Sequence, residues 1–265
     1  MIAGISTACF YPQHTETALS DLCNIGIGST EIFINSVSEL APGFICGLKK
    51  TADDSNVKIL SVHPCTSLFE TSYFFSEYDR RFDDGMEVYK KFYEAANNLG
   101  AKIVVFHGAM QNHSFQLSTD AYCERFGILV EDAKQYGIHL CHENVAYCVG
   151  KTPAFFTEIL SRLPDASFVL DVKQAKRAGT SPFDFAEAMG KNLAHIHISD
   201  HDDDNSCLLP GAGSFNITNF LSTVSENGFD GGVIVELYRQ NFSDIVEINA
   251  GYQHVSSCIS TVKQN

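Results

Sequence analysis

Segments that read as β-strands alternate with segments that read as amphipathic helices along this whole chain, and that alternation restricts its fold more than any other feature. Strand-like runs cover Ile2 to Ser6, Thr30 to Ile34, Val57 to Val62, Lys102 to Phe106, Ile138 to Glu143, Ser167 to Asp171, Leu193 to His197 and Gly232 to Glu236. They are mostly β-branched or aromatic and apolar on both faces, as parallel strands covered by helices are. Between them apolar positions recur at spacings of three and four, as in Phe82, Met86, Tyr89, Phe92, Ala96 and Leu99, and again in Ile245, Ile248, Tyr252, Val255 and Ile259. Gly26, Gly100, Gly137 and Gly228 fit positions just past helix C-termini, and Thr152-Pro153 and Ser181-Pro182 fit helix starts. The count is eight strands and eight helices in strict alternation. An open doubly wound sheet would normally carry Gly-x-Gly-x-x-Gly after its first strand, where this chain has Ser6-Thr7-Ala8-Cys9-Phe10. The expected fold is therefore α/β, a single (β/α)8 TIM barrel spanning residues 1–265 as one domain.

Composition narrows the function. A formal charge of −14 without any Lys/Arg cluster disfavours nucleic acid as a partner. No run of eighteen apolar residues is present, so no membrane span is expected. The N-terminus reads as a strand rather than a signal peptide. Nine cysteines without a Cys-x-x-Cys pair are expected to be reduced, buried, small hydrophobes in a cytoplasmic protein.

The last four strand-like runs each end in a metal-type ligand: Glu143, Asp171, His197 and Glu236. In a closed parallel barrel the strand ends converge on the face where chemistry is done. A carboxylate ending a strand is often only a helix cap or a salt-bridge partner. Three carboxylates buried together, however, repel one another, and a divalent cation removes that penalty. Mixed carboxylate and imidazole ligation suits Mn²⁺, Mg²⁺, Co²⁺ or Zn²⁺, and the lack of a thiolate argues against a purely structural zinc site. His63 and His107 end the third and fourth strands, where they could hold a second ion with Glu143 or hydrogen-bond a substrate. His195, two residues before His197, faces the same way one layer deeper and could orient it, whereas His142 points away from the axis.

The ordered series Val62-His63-Pro64, Phe106-His107-Gly108, His142-Glu143-Asn144, Leu170-Asp171, His197-Ile198-Ser199-Asp200, Leu209-Pro210-Gly211-Ala212-Gly213 and Val235-Glu236 resembles the xylose isomerase-like TIM barrels. That superfamily includes sugar and sugar-phosphate isomerases and epimerases and also metal-dependent endonucleases that act at abasic DNA sites. The resemblance covers nearly the whole chain. It implies that Glu143, Asp171, His197 and Glu236 are the metal quartet of ketose 3-epimerase-like members, with the two glutamates also carrying the proton. The chain departs from the pattern at Gln174, where those members commonly have a histidine three residues after the aspartate. No Asp-x-His occurs between Asp200 and Leu209, so a third zinc site is not expected.

The expected activity is a divalent-metal-dependent isomerisation or epimerisation of a sugar or sugar phosphate, with proton transfer through a cis-enediolate and Glu143 and Glu236 as base and acid. His63, His107, Lys173, Gln174 and Arg239 are candidates for substrate binding or, for the histidines, a second metal. Gly211 to Ser214 could receive a phosphate on backbone N–H groups, although a tight turn explains it equally simply. The long connection from His63 to about Asp79 is rich in aromatic residues and reads as either a wall over the substrate or a packing flap. A metal-dependent hydrolase or lyase, a non-catalytic sugar-binding barrel and assembly into a homo-oligomer all remain compatible with the sequence.

Overall fold

The computed structural model describes residues 1–111 and 117–264. Eight parallel strands close into a barrel: β1 (Ile2–Ser6), β2 (Ser29–Ile34), β3 (Lys58–Pro64), β4 (Ile103–Phe106), β5 (His139–Glu143), β6 (Ser167–Asp171), β7 (Leu193–Ile198) and β8 (Gly232–Val235). The ring is shut by β8 pairing with β1 in register from Ile2 opposite Gly232 to Ile5 opposite Val235. This is the expected (β/α)8 barrel, with strand ends moved by one or two residues. The largest move carries β3 on through His63 to Pro64, and β8 ends one residue early at Val235, leaving Glu236 just beyond its strand.

The strict one-helix alternation does not hold. Among the described residues, the β3–β4 connection carries two helices, Ser67–Phe74 and Asp79–Leu99, and the β6–β7 connection carries Val172–Arg177 and Pro182–Met189. The stretch expected to be a loop after His63 is therefore largely helical. Its Phe74 and Phe75 are buried, with Phe74 packed edge-on to Tyr89 at 4.8 Å, while Leu68 stays exposed. The second additional helix starts where β6 stops, because Asp171 ends the strand and also caps the helix by accepting the Gln174 N–H on Oδ1.

Two cores result. The larger lies between sheet and helices, and its fully buried side chains include Tyr89, Phe126, Phe156, Phe168, Phe185 and Phe220. The smaller consists of Val105, Cys141 and Val169, separate from the first. Side chains two apart on a strand share a face, so these three mark the barrel interior and His107, Glu143 and Asp171 stand one step above them. Likewise Ser61 is followed by His63 and His195 by His197. The interior is thus apolar along β4–β6 and polar along β2, β3 and β7, where Glu31, Ser61 and His195 are all buried. Most cysteines are buried as expected, but Cys46 and Cys65 are exposed.

Gly100 follows the Asp79–Leu99 helix with φ of 80°, and its N–H reaches the carbonyls of Ala96 and Asn97. An L side chain there is strained, so Gly100→Ala is expected to lower stability by about 1–2 kcal/mol in urea unfolding followed by circular dichroism. An unchanged midpoint would refute that reading of the helix end.

Candidate metal centre

The four strand-end ligands converge. His197 Nδ1 is 2.8 Å from Glu143 Oε1, 3.4 Å from Glu236 Oε2 and 3.9 Å from Asp171 Oδ2, and all four residues are buried. One ligand atom from each lies within 4.8 Å of the others. The strand register brings them together: Asp171 on β6 pairs directly with His197 on β7. Asn144, next to Glu143, locks β5 to β6 by accepting the Asp171 N–H on Oδ1 at 2.6 Å and donating from Nδ2 to the Asp171 carbonyl at 3.0 Å.

Behind the quartet stands Glu31, which is wholly buried in the middle of β2. Its Oε1 accepts from Ser6 Oγ at 3.0 Å and its Oε2 from Ser61 Oγ at 2.7 Å. His197 Nε2 lies 3.1 Å from Oε2, His195 Nε2 lies 3.4 Å from the same atom, and His63 Nδ1 lies 3.2 Å from Oε1. Holding Nε2 leaves His197 Nδ1 turned towards the three carboxylates, the outer-ligand arrangement that orients metal-binding imidazoles. Thus it is chiefly Glu31 that orients His197, with His195 sharing its oxygen. Burial pushes the Glu31 carboxyl up, but the His197 charge and the hydrogen bonds from His195, His197 and His63 outweigh it and hold the group well below the usual range. Burial likewise works against protonating His63, yet hydrogen bonds to Glu236 and Glu31 raise it to about 10.

A second buried carboxylate, Glu70, holds His107. It accepts the backbone N–H groups of His107 and Gly108 at 2.9 and 2.7 Å, and its Oε1 lies 3.1 Å from His107 Nδ1. The two histidines then face each other, with Nε2 atoms 2.9 Å apart, and together with Glu143 they form another compact ligand group. Sequence reading missed both Glu31 and Glu70. The available signal was a single charged residue inside an otherwise uncharged strand, Ser29-Thr30-Glu31-Ile32-Phe33-Ile34, and a lone acid within Ser67-Leu68-Phe69-Glu70-Thr71-Ser72-Tyr73.

The remaining candidates divide. Lys173 is buried, and its ammonium contacts Asp171 Oδ2 and Glu236 Oε2. Gln174 lines the cleft and accepts the Ala146 N–H on Oε1 at 3.2 Å. Arg239 does not serve the cleft as expected. It sits in a short helical turn, Arg239–Asn241, that sends the guanidinium to the Phe242 carbonyl at 2.8 Å and the Ser243 carbonyl at 3.2 Å, over the Phe242 ring. His142 faces outward, bonded to the Tyr122 hydroxyl at 2.6 Å. In the Gly211–Ser214 turn three of the four amides are engaged: Gly211 N donates to Asp200 at 2.9 Å, Ala212 N to the Leu209 carbonyl and Ser214 N to the His201 carbonyl, and Asp200 also accepts from the neighbouring Phe215 N at 3.0 Å and His201 N at 2.8 Å. A Cβ on Gly213 would collide with the Asp200 carboxylate and the His201 carbonyl, so a close approach requires glycine there. The tight-turn reading is the one this geometry supports.

The quartet opens into a cleft of about 510 Å³ lined by Tyr11, Phe33, Leu68, Tyr147, Leu237 and Tyr238 beside the polar groups. Its donor set suits a divalent cation: three carboxylate oxygens and one imidazole nitrogen, buried and convergent. Crowding supplies the driving force. Burial pushes the Asp171 carboxyl up, and the charges of Glu143 and Glu236 add to this against the pull of Lys173 and His197. The Lys173 ammonium offsets part of the cluster's negative charge.

Residues 22–259 match the model of a family described as the xylose isomerase-like TIM barrel. An uncharacterised protein of Methanocaldococcus jannaschii is 26% identical over 257 residues, covering 92% of this chain and 85% of that protein. An inosose isomerase of Halalkalibacterium halodurans is 28% identical over 125 residues, or 43% of this chain and 44% of that enzyme. Among solved structures, a D-tagatose 3-epimerase-like protein superposes with a TM-score of 0.83 at 21% identity, covering 100% of this chain and 99% of its own. The IOLI protein with a bound zinc atom superposes at 0.77 and 20% identity, covering 99% and 98%. Fold, strand-end ligands and the family match over most of the sequence agree: the chain belongs to the xylose isomerase-like TIM barrel family.

Proposed function

We propose that this protein is a divalent-metal-dependent isomerase or epimerase of an unphosphorylated keto sugar or cyclic keto polyol. One observation carries the reading: Glu143 and Glu236, from β5 and from the end of β8, bring carboxylate oxygens to one buried point beside Asp171 and His197 at the floor of the cleft. The tagatose-epimerase-like and zinc-bearing structures and the inosose isomerase relative are consistent with it.

A divalent cation held by Glu143, Asp171, His197 and Glu236 would supply Lewis-acid polarisation of a carbonyl and its neighbouring hydroxyl, which acidifies the C–H between them. The protein does the rest. One glutamate takes the proton, leaving an enediolate of the substrate, and the other returns a proton to the opposite face to give an epimer. Return to the neighbouring carbon gives an isomer. Positioned carboxylates of this kind contribute roughly 10²–10⁴-fold. His63 and His107, fixed by Glu31 and Glu70, line the cleft with their Nε2 atoms paired at 2.9 Å, where a substrate oxygen could replace one partner of that contact. Tyr11, Leu68, Tyr147 and Tyr238 offer apolar faces to carbon-bound hydrogens and exclude water.

Charge and occupied amides support a substrate without a phosphate group. Arg239 is turned away, the Gly211–Ser214 turn already holds the Asp200 carboxylate, and Lys173, the Lys or Arg lining the cleft among the described residues, contacts two carboxylates. A second reading, a two-metal hydrolase or lyase, is favoured by one feature, the His63, His107 and Glu143 group. Elemental analysis separates the two, since one tightly bound ion per chain fits the isomerase and two fit the hydrolase.

Incubation with a panel of ketoses and inososes in D₂O should exchange hydrogen next to the carbonyl. Glu143→Gln and Glu236→Gln should each lower that exchange by at least about 10²-fold, and exchange at the wild-type rate in either variant would remove that glutamate from the mechanism. Phosphorylated counterparts of any active sugar should be turned over with kcat/KM at least about tenfold lower, roughly 1.4 kcal/mol. A preference for the phosphate ester would contradict the proposed substrate class. Asp171→Ala should lose bound metal on dialysis, and undiminished metal content would exclude Asp171 from the quartet.

A further inference from the structure

We propose that Lys173 is a built-in counter-ion that occupies two of the oxygens a metal ion would use, so that its ion pairs and metal loading exclude one another. The inference rests on reading Glu143, Asp171, His197 and Glu236 as a metal quartet.

The argument is atom by atom. Asp171 has two oxygens, and Oδ1 is engaged as the helix cap that accepts the Gln174 N–H at 3.0 Å. Glu236 has two oxygens, and Oε1 lies 3.4 Å from His63 Nδ1. That leaves Asp171 Oδ2 and Glu236 Oε2, which are the atoms that face His197 Nδ1, at 3.9 and 3.4 Å. The Lys173 ammonium contacts both of these same atoms. A divalent ion held by Oδ2, Oε2, Glu143 Oε1 and His197 Nδ1 would share two of its oxygens with the ammonium, and two cations on the same buried oxygens repel strongly.

Lys173 reaches this position because it lies in the first turn of the helix Val172–Arg177, two residues after its partner Asp171. Its stem is flexible, and the Tyr238 ring lies beside it, with its centroid 5.8 Å from the ammonium. When a metal enters, the lysine has a neighbouring aromatic face on the cleft wall to move against. Without metal, it neutralises part of a buried acidic cluster that would otherwise repel itself, so the barrel folds before loading. The same contacts weaken metal binding, because each ion must displace the lysine.

The test titrates Mn²⁺ by calorimetry into chelator-stripped wild type, Lys173→Met, Lys173→Gln and Asp171→Asn, and follows thermal unfolding of each stripped protein. Both lysine variants should bind Mn²⁺ at least about tenfold tighter than wild type. Stripped of metal, both should unfold at lower temperature and recover when Mn²⁺ is added. Lys173→Gln keeps an N–H donor towards the two oxygens and serves if Lys173→Met does not fold without metal. If wild type binds Mn²⁺ in an Asp171-dependent way but the lysine variants bind equally or more weakly, or lose no stability when stripped, the lysine inference falls and the quartet stands. If none of the proteins binds Mn²⁺, both fall.

Discussion

A carboxylate with no access to water must find all its partners inside the protein, and Glu31 is in that position. Five side chains supply them: Ser6 from β1, Ser61 and His63 from β3, and His195 and His197 from β7. His63 and His197 both hold to this one carboxylate, through Oε1 and Oε2, so their orientations are set together. The quartet inherits that order. Its imidazole faces the three carboxylates because the opposite nitrogen is already held, and His63 is held towards Glu236 by the same oxygen pair. Replacing the polar half of the barrel interior with the aliphatic packing seen along β4–β6 would leave a stable barrel with no means of aiming its ligands.

The electrostatics of the cleft follow from the same crowding. Three carboxylates meet at the floor, backed by Glu31 and Glu70, while the positive charge comes from one lysine and from imidazoles whose proton affinity the neighbouring carboxylates raise. For His197, burial lowers the proton affinity, but the charges of Glu31 and Glu236 and a hydrogen bond to Glu143 raise it well above the ordinary value. An imidazole that ligates a metal must give up that proton at the ligating nitrogen. A cation entering this centre would therefore rearrange a shared set of charges instead of filling an indifferent hole.

Much of the barrel could be read from the chain because parallel strands buried on both faces leave runs of β-branched and aromatic residues, and because glycine and Ser/Thr-Pro pairs mark helix ends. The helix Ser67–Phe74 was hidden: eight residues give one i, i+4 apolar pair, Phe69 and Tyr73, too short a repeat to show a helical period, and its Phe74 packs on Tyr89 and Phe106. At the centre, the two-residue period of strands placed Glu143, Asp171 and His197 on one face, and Glu236 joined them from just past β8. Glu31 was not singled out, since its role depends on side chains from β3 and β7 far away in sequence. Arg239 was misplaced for the opposite reason. Nearness to Glu236 in sequence says nothing about direction once the chain turns into a helical loop.

The Asp200 carboxylate is gripped by three backbone N–H groups in the turn that follows β7, from His201, Gly211 and Phe215. Such a cradle of amides is a ready receptor for an oxyanion, and here the chain supplies the oxyanion itself. The plug is one side chain. Truncating Asp200 to alanine would leave that concave ring of donors without its acceptor, so a single codon separates a self-filled cradle from an open one.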